Sequence, residues 1–502
     1  MKRKTKFIYN GVLLTAVGLA MRGTQLLFGA YIARAVGAEG VGINTLVMMV
    51  YSFALTFATS GISLTVTRLY ASAVGEGRAE DGSKILGGAF LYAFAFGSAA
   101  NVILLLLSGI IGNGVIGAAA SADALRALSF SLIPSALSAV ISGYFVAVRR
   151  VTLNAITQVG GQLFRIALTV FLLSGTDGQP IIMLALGVSI SELVAFLIAF
   201  PAYLFDRRKV TRPRAFQLSP VAKMALPLAI SAYLRSALLT LEHNLIPRRL
   251  RLHGETREEA LSSYGYLHGM ALPLILYPMT PLTSFSGLLV PEFAEAKGAG
   301  QGQRMKSRAS YALNTTLAYG IASAVFIYLF STELGFTVYS SGEAGRYIAV
   351  LAPVVPIMYL DHATDAILKG IGEHIYSMWV NIADAVLSVL LVFTLIPVMG
   401  IAGYAVVIIA MEAFNFLFSI VRLRKKIAFR LDIPNALLIP VISAVISALA
   451  ADSLMVINDA EITPLWLVLK LIFAVCAFFG VRALMQILLL PISAKIKRSA
   501  RS

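Results

Sequence analysis

The chain has 502 residues, of which 58% are hydrophobic and 13% charged, with a net charge of +16. Soluble globular proteins carry about 25% charged residues, so these proportions exclude an ordinary water-soluble domain. The single cysteine, Cys476, lies in an apolar stretch and excludes a disulfide framework. The positive charge is not read as nucleic-acid binding, because basic residues in membrane proteins concentrate in cytoplasmic loops.

Apolar stretches of about 20 residues, the length that crosses a hydrocarbon core, recur along the whole chain. Fourteen spans are predicted, at 7–35, 43–72, 85–108, 123–148, 153–174, 180–205, 219–247, 264–290, 307–330, 345–369, 375–396, 400–422, 433–455 and 464–490. The expected fold is an all-α polytopic membrane protein. The first run lacks a small-residue cleavage site and is read as a real span rather than a signal peptide.

Basic residues alternate with the spans. They cluster at Lys2–Lys6, at Arg78 and Lys84, at Arg149 and Arg150, and in the 206–218 segment. They cluster again at Lys297–Arg308, at Arg424–Arg430 and in the tail from Lys495. The intervening segments 109–122, 175–179 and 397–399 carry none, and the last such loop holds only the acids Asp459 and Glu461. By the positive-inside rule both termini are expected in the cytoplasm. The 248–259 loop departs from the pattern. It sets Arg248, Arg249, Arg251 and Arg257 against Glu255, Glu258 and Glu259.

The chain also repeats itself. Arg22 and Arg235 stand mid-span and are 213 residues apart. Glu192 in "SELVAFL" and Glu412 in "MEAFNFL" are 220 apart, and Pro134 and Pro356 are 222 apart. Residues 1–205 and 219–426 therefore read as two pseudo-symmetric six-helix lobes, joined by a basic linker at 206–218. Residues 427–502 add two helices and a basic tail. Transporters built on such parallel repeats bind cargo between the halves near mid-membrane.

The buried charges carry the functional reading. A charge at the bilayer centre costs at least about 2.5–3.5 kcal/mol, so it is turned toward a cavity or a partner. Gly11, Gly18, Arg22, Gln25 and Gly29 fall within about 40° of one line at 3.6 residues per turn. Asn154, Gln158, Gly161 and Arg165 form a second stripe, and Ser231, Arg235 and Glu242 a third. Arg22, Gln25, Arg165 and Arg235 are accordingly candidate substrate-binding residues lining a central cavity. The alternative stays open: small residues pack helices closely, with each arginine neutralised by an acid such as Glu192 or Glu242. A guanidinium is a planar fork matched to phosphate oxygens, so a basic cavity suits an anionic head group and suits a cationic drug poorly.

Acids gather in the second half at Asp361, Asp365, Asp384 and Glu412. Asn381 shares a face with Asp384, and Glu412 with Asn415. Such a set would bind Na⁺ or relay a proton, or else pair internally, as Asp365 and Lys369 are placed to do. Pro273, Pro278 and Pro281 interrupt the eighth span, Pro227 the seventh, and Pro353 and Pro356 the tenth. Proline bends helices, and these bends are read either as moving parts or as static kinks. No P-loop, zinc spacing or serine elbow occurs, so no enzyme activity and no resident cofactor are expected. Active transport would then draw on an ion gradient, the membrane potential or the cargo gradient.

"RGTQLLFGAYIARAVGAEGVGINTL" from Arg22 and "ATSGISLTVTRLYASAVGEGR" from Ala58 resemble the start of the stage V sporulation protein B group. "IPVMGIAGYAVVIIAMEAFNFLFSIVRLRKK" from Ile396 resembles the polysaccharide-exporter side of the same superfamily. This is the multidrug/oligosaccharidyl-lipid/polysaccharide (MOP) superfamily, which includes the lipid II flippases. The resemblance implies two six-helix lobes in a V around a cavity, a multi-pass monomer in a bacterial cytoplasmic membrane, and alternating access. It implies flipping of an undecaprenyl-pyrophosphate-linked sugar or peptidoglycan precursor, with membrane lipids as the other partners. Arg22 matches a cavity arginine of the flippases. Where those proteins have a second arginine six residues on, this chain has Phe28. Arg34 matches the "ARxxG" end of that helix and is implied as a gate or interface residue. A cation site in some relatives is loosely matched by Glu242, Asn381 and Asp384, to which the face shared by Glu412 and Asn415 adds Glu412. A cation-coupled multidrug exporter of the same fold, and a non-transporting scaffold in wall or spore-cortex assembly, are the two rival readings.

Overall fold

The computed structural model describes residues 2–59, 61–76, 78–148, 150–175, 179–206, 217–456 and 464–499. The linker residues 207–216, Arg149, and the acids Asp459 and Glu461 lie outside these, as do the side chains of residues 1–17 and 489–502. All regular structure among the described residues is helical.

Helix α1 (Lys2–Thr59) holds the first two predicted spans in one element. They part at Gly37, whose φ of 70° and ψ of −179° no side-chain-bearing residue adopts readily. The second span continues through α2 (Ile62–Gly75). Then come α3 (Ala79–Gly109), a π turn (Ile110–Ile116), α4 (Ala119–Ser129) and α5 (Leu132–Ala147). The α4–α5 pair is one span bent by 41°. Pro134, in the first turn of α5, has no N–H to donate back across that bend. Next are α6 (Val151–Gly175), α7 (Pro180–Asp206) and α8 (Leu218–His253).

The eighth predicted span is a broken series: α9 (Arg257–Tyr264), a π turn (Gly265–Ala271), α10 (Leu272–Leu276), a 3₁₀ turn (Tyr277–Met279) and α11 (Thr280–Gly298). It is followed by α12 (Gly302–Leu329), α13 (Ser331–Tyr339), α14 (Gly342–Leu351) and α15 (Val355–Gly370). The short α13 occupies a stretch expected to be a loop. Helix α16 (His374–Lys426) repeats the device of α1, with the eleventh and twelfth spans parting at Gly400, φ 61°. A π turn (Pro434–Leu438), α17 (Ile439–Val456) and α18 (Pro464–Ser499) complete the chain.

Nine described helices are long and apolar enough to cross a membrane, or eleven when each bent pair is one span. Two of the nine, Ala20–Val74 and His374–Lys426, are double-length stretches divided by their glycines. With these divisions and the proline-broken segment, the helices follow the fourteen predicted spans in order.

The chain groups into two compact units, Met1–Arg34 with Tyr266–Ser502, and Ala35–Gly265. This partition differs from the expected division at the 206–218 linker. The first span groups with the second half of the sequence, and α8 with the first half. Packing explains the place of α8. The Gln217 amide donates to the Lys84 carbonyl at 3.1 Å. A Cβ on Gly88 would lie 2.2 Å from the Gln217 carbonyl oxygen, so only glycine admits that approach. Further along, Tyr233 donates to the Phe57 carbonyl at 3.1 Å and Thr240 to Met49 at 3.2 Å. The exchange is reciprocal, since the first span packs on the eighth just as the seventh packs on the second.

Within Ala35–Gly265 the core is aromatic. Tyr144 meets Tyr203 edge-on at 5.0 Å and Tyr70 at 5.2 Å. Its hydroxyl donates to Asp206 at 3.0 Å, and Asp206 pairs with Arg150 at 2.8 Å. Within the other unit, Phe293, Leu313, Ile367 and Leu423 form an apolar core. The last two helices are fastened by charge. The Lys470 side chain, 3% exposed, reaches Glu333 and Asp452 at 2.5 Å each and lies 4.6 Å above the Phe330 ring. Glu373, ahead of α16, accepts from Arg422 at 2.7 Å and Lys426 at 2.8 Å at that helix's far end.

Two outcomes follow from these pairs. Breaking a buried ion pair on one side costs about 3–5 kcal/mol, because the remaining charge is stranded. Lys470→Met is therefore expected to lower the melting temperature of the detergent-solubilised protein. Adding Glu333→Gln and Asp452→Asn is expected to restore most of the loss, and a single variant that melts with the wild type would refute the clamp. Lys426 and Arg422 hold the Glu373 carboxyl below the usual value of 4.5. Its contribution to stability is therefore complete above pH 4.5 and is lost as the pH falls through the lower folded value. Glu373→Gln should remove that acid-side sensitivity in thermal melts, leaving a flatter profile below pH 4.5 than the wild type shows.

Candidate functional site

Prolines make the site in the unit formed by Met1–Arg34 and Tyr266–Ser502. Pro278 and Pro281 have no N–H to donate to the carbonyls four residues earlier. The chain tightens instead. The Tyr277 amide turns to the Leu274 carbonyl, and the Thr280 amide to Tyr277. Side chains add donors to carbonyls of the same stretch. Tyr359 donates to Ile275 at 3.1 Å, Tyr319 to Pro278 at 2.6 Å, and the Thr280 hydroxyl to Tyr277 at 2.7 Å. The Tyr319 and Tyr359 rings lie near-parallel, 6.0 Å apart.

Arg22 completes this set. One terminal nitrogen donates to the Leu276 carbonyl at 3.3 Å and to the Thr280 hydroxyl at 3.4 Å. Both bonds are long, and both use the same nitrogen. The other terminal nitrogen and Nε have no partner among the described residues, and no carboxylate pairs with the group. Arg22 is half-buried, and Gln25, one turn on, is exposed. The sequence offered two readings of Arg22, a cavity residue or an arginine neutralised by an acid. The observed partners are the Leu276 carbonyl and the Thr280 hydroxyl, at the broken backbone of the eighth span. Half of the fork is anchored there and half remains available.

Arg34 donates to the Thr337 carbonyl at 2.5 Å, in the last turn of α13. The acids lie on α15 and α16. Asp365 pairs with Lys369 at 2.5 Å, as the spacing predicts. Asn381 spends its amide on the Ser377 carbonyl at 2.7 Å. Asp361 keeps one buried oxygen without a hydrogen-bond partner, and both Asp361 and Asp384 lie within electrostatic reach of Glu412. Among the described residues no three acids, histidines or cysteines are placed to share a metal ion.

The other predicted residues fall in Ala35–Gly265. Arg235 is exposed and has no partner among the described residues. Arg165 is half-buried, with its Nε unpartnered. It and Glu192 both act on the Tyr51 hydroxyl, which accepts from Ser131 at 2.8 Å. Ser135 donates to Glu192 at 3.0 Å. Glu242 is buried, and its neighbour His243 meets the Tyr264 hydroxyl at 3.1 Å. The expected cation set therefore divides: Glu242 belongs to one unit, and Asn381, Asp384 and Glu412 to the other. Sequence reasoning missed Tyr319 and Tyr359, because a tyrosine on an apolar helix carries no mark of the carbonyl it serves.

The family of polysaccharide biosynthesis proteins matches residues 7–297, more than half of the chain. This chain belongs to that family. The MatE family matches residues 254–394. Stage V sporulation protein B of Bacillus subtilis (strain 168) is 24% identical over 421 residues, covering 81% of each chain. Among solved structures, the lipid II flippase MurJ in an inward closed conformation superposes with a TM-score of 0.73 at 14% identity, covering 95% of this chain and 100% of that one. An inward-facing multidrug resistance MATE family transporter gives 0.65 at 17% identity, covering 82% and 94%. The chain is thus a multi-pass membrane protein of the polysaccharide biosynthesis family, with a fold shared by the MurJ and MATE structures.

Proposed function

We propose that this protein flips a lipid-linked, pyrophosphate-bearing oligosaccharide or peptidoglycan precursor by alternating access. The observation that carries the reading is the half-used guanidinium of Arg22. A fork with free N–H groups, fixed at a helix break and unpaired with any acid, is matched to phosphate oxygens. A cationic drug would find repulsion there. The relatives named above include a sporulation protein and a lipid II flippase, which accords with a cell-wall precursor as cargo. On this reading the protein works as a monomer in the cytoplasmic membrane with both termini inside. Asp361, with one unpartnered buried oxygen, and Asp384, within electrostatic reach of Glu412 as Asp361 is, carry the coupling to Na⁺ or H⁺. The same two acids are what a cation-coupled drug exporter would use, so the exporter is the second reading.

Reconstitution in liposomes with a fluorescent undecaprenyl-pyrophosphate disaccharide tests this. Wild-type protein should flip the lipid, and Arg22→Ala should reduce the rate at least about tenfold, as expected for a lost charge-assisted contact of about 1.5–3 kcal/mol. Arg22→Lys should recover part of it. Imposed Na⁺ and pH gradients should change the wild-type rate, with Asp384→Asn insensitive to the effective one. Equal flipping by wild type and Arg22→Ala sinks the cargo assignment. Gradient-driven movement of a cationic dye without lipid flipping selects the exporter, and neither activity selects a scaffold. Arg165→Ala and Arg235→Ala are read in the same assay.

A further inference from the structure

The end of α8 carries a second cationic feature that the transport reading does not use. Helix α8 stops at Gly254, φ 113°, whose amide returns to the Arg251 carbonyl at 3.2 Å. Helix α9 then starts from a capping box. The Glu259 carboxylate accepts from the Thr256 amide at 2.8 Å, and the Thr256 hydroxyl accepts from the Glu259 amide at 3.3 Å. Between the two helices lies a cavity of about 440 Å³, lined by Arg248, Arg251, Leu252, Glu255, Thr256 and Arg257.

Three guanidinium groups and one carboxylate line it. The capping box turns Glu259 away from the arginines. Arg251 and Glu255 are spaced for an ion pair, but the reversal at Gly254 parts them and none forms among the described residues. Arg248 is fixed from the other side. Its Nε donates to the Val115 carbonyl at 3.1 Å and a terminal nitrogen to Gly114 at 2.6 Å, both in the π turn that ends α3. Arg251 and Arg257 are exposed and have no partner among the described residues. One Glu255 oxygen is buried without a hydrogen bond. Leu252, 66% exposed, gives the cavity an apolar lip.

We propose that this cavity is a binding site for a phosphate ester carrying a hydroxyl or amine, supplied by the head group of a membrane glycerophospholipid. Arg251 and Arg257 take the phosphoryl oxygens, and Arg248, held by the π turn, offers its remaining terminal N–H groups. Glu255, which lines the same cavity, faces the ester's hydroxyl or amine, and Leu252 meets the glycerol and upper acyl carbons. The mixed lining explains why this loop departs from the charge pattern of its neighbours: its arginines are matched to a ligand rather than to membrane sidedness. The inference stands on this cavity alone and is independent of what the transporter carries.

The test uses the full chain in nanodiscs of phosphatidylcholine doped with phosphatidylglycerol, with retained lipid read by native mass spectrometry. Wild-type protein should retain phosphatidylglycerol, and the Arg251→Ala/Arg257→Ala double variant should hold it at least about tenfold more weakly. Melting temperatures guard against a folding defect. The Arg251→Lys/Arg257→Lys variant, which keeps the charge and loses the fork, should fall between the two. Displacement of the lipid by glycerol 3-phosphate would keep the phosphoryl site and assign it a soluble source. Equal retention by wild type and the double alanine variant at equal melting temperature overturns the proposal, as does loss of lipid from the lysine variant equal to that from the alanine variant.

Discussion

A backbone carbonyl inside a membrane must find a donor, because lipid supplies none. The eighth span breaks this rule locally through Pro278 and Pro281, and the surrounding unit is arranged to repair it. Tyr319, Tyr359 and the Thr280 hydroxyl each donate to a carbonyl at the break, and Arg22 donates to another. A guanidinium repairs such a break and still has donors left over, since it carries five N–H groups. The tolerance of a charge in the middle of the first helix and its fitness for an anion thus have one cause.

The same arrangement recurs at two other helix ends. Arg34 serves a carbonyl in the last turn of α13, and Arg248 serves two carbonyls of the π turn after α3. Each cation is placed by backbone geometry rather than by an acid. Other acids pair with cations, as Asp365 with Lys369 and Glu373 with Arg422 show. Lys470, wedged between Glu333 and Asp452, is the opposite case, a charge fully enclosed by carboxylates and therefore structural. The contrast separates arginines with unused donors from cations whose donors are spent.

Most of the architecture was legible because hydrophobic run length is a strong signal in membrane proteins. The fourteen spans follow from it directly, and the acid–lysine pair on α15 follows from its four-residue spacing. Gly37 and Gly400 were not read as the hinges of two double-length helices, since a positive φ leaves no mark in composition. The expected lobes placed the boundary at the basic linker, whereas compact grouping exchanges the first span for the seventh. That exchange depends on close approaches such as Gly88 against Gln217, which only tertiary structure reveals. Among candidate site residues, Arg22 was legible from its stripe of small and polar neighbours. Its partner was not, because Leu276 contributes a carbonyl, and every residue has one.

The central claim is that the Arg22 fork, anchored on the Leu276 carbonyl by one nitrogen, meets cargo phosphate with the rest. Cryo-electron microscopy of the protein with an undecaprenyl-pyrophosphate disaccharide tests it most directly. The account predicts phosphate density within hydrogen-bonding distance of the two Arg22 nitrogens that are now unpartnered. Bound cargo with its phosphates away from Arg22, and the guanidinium unchanged on the broken helix, would contradict it.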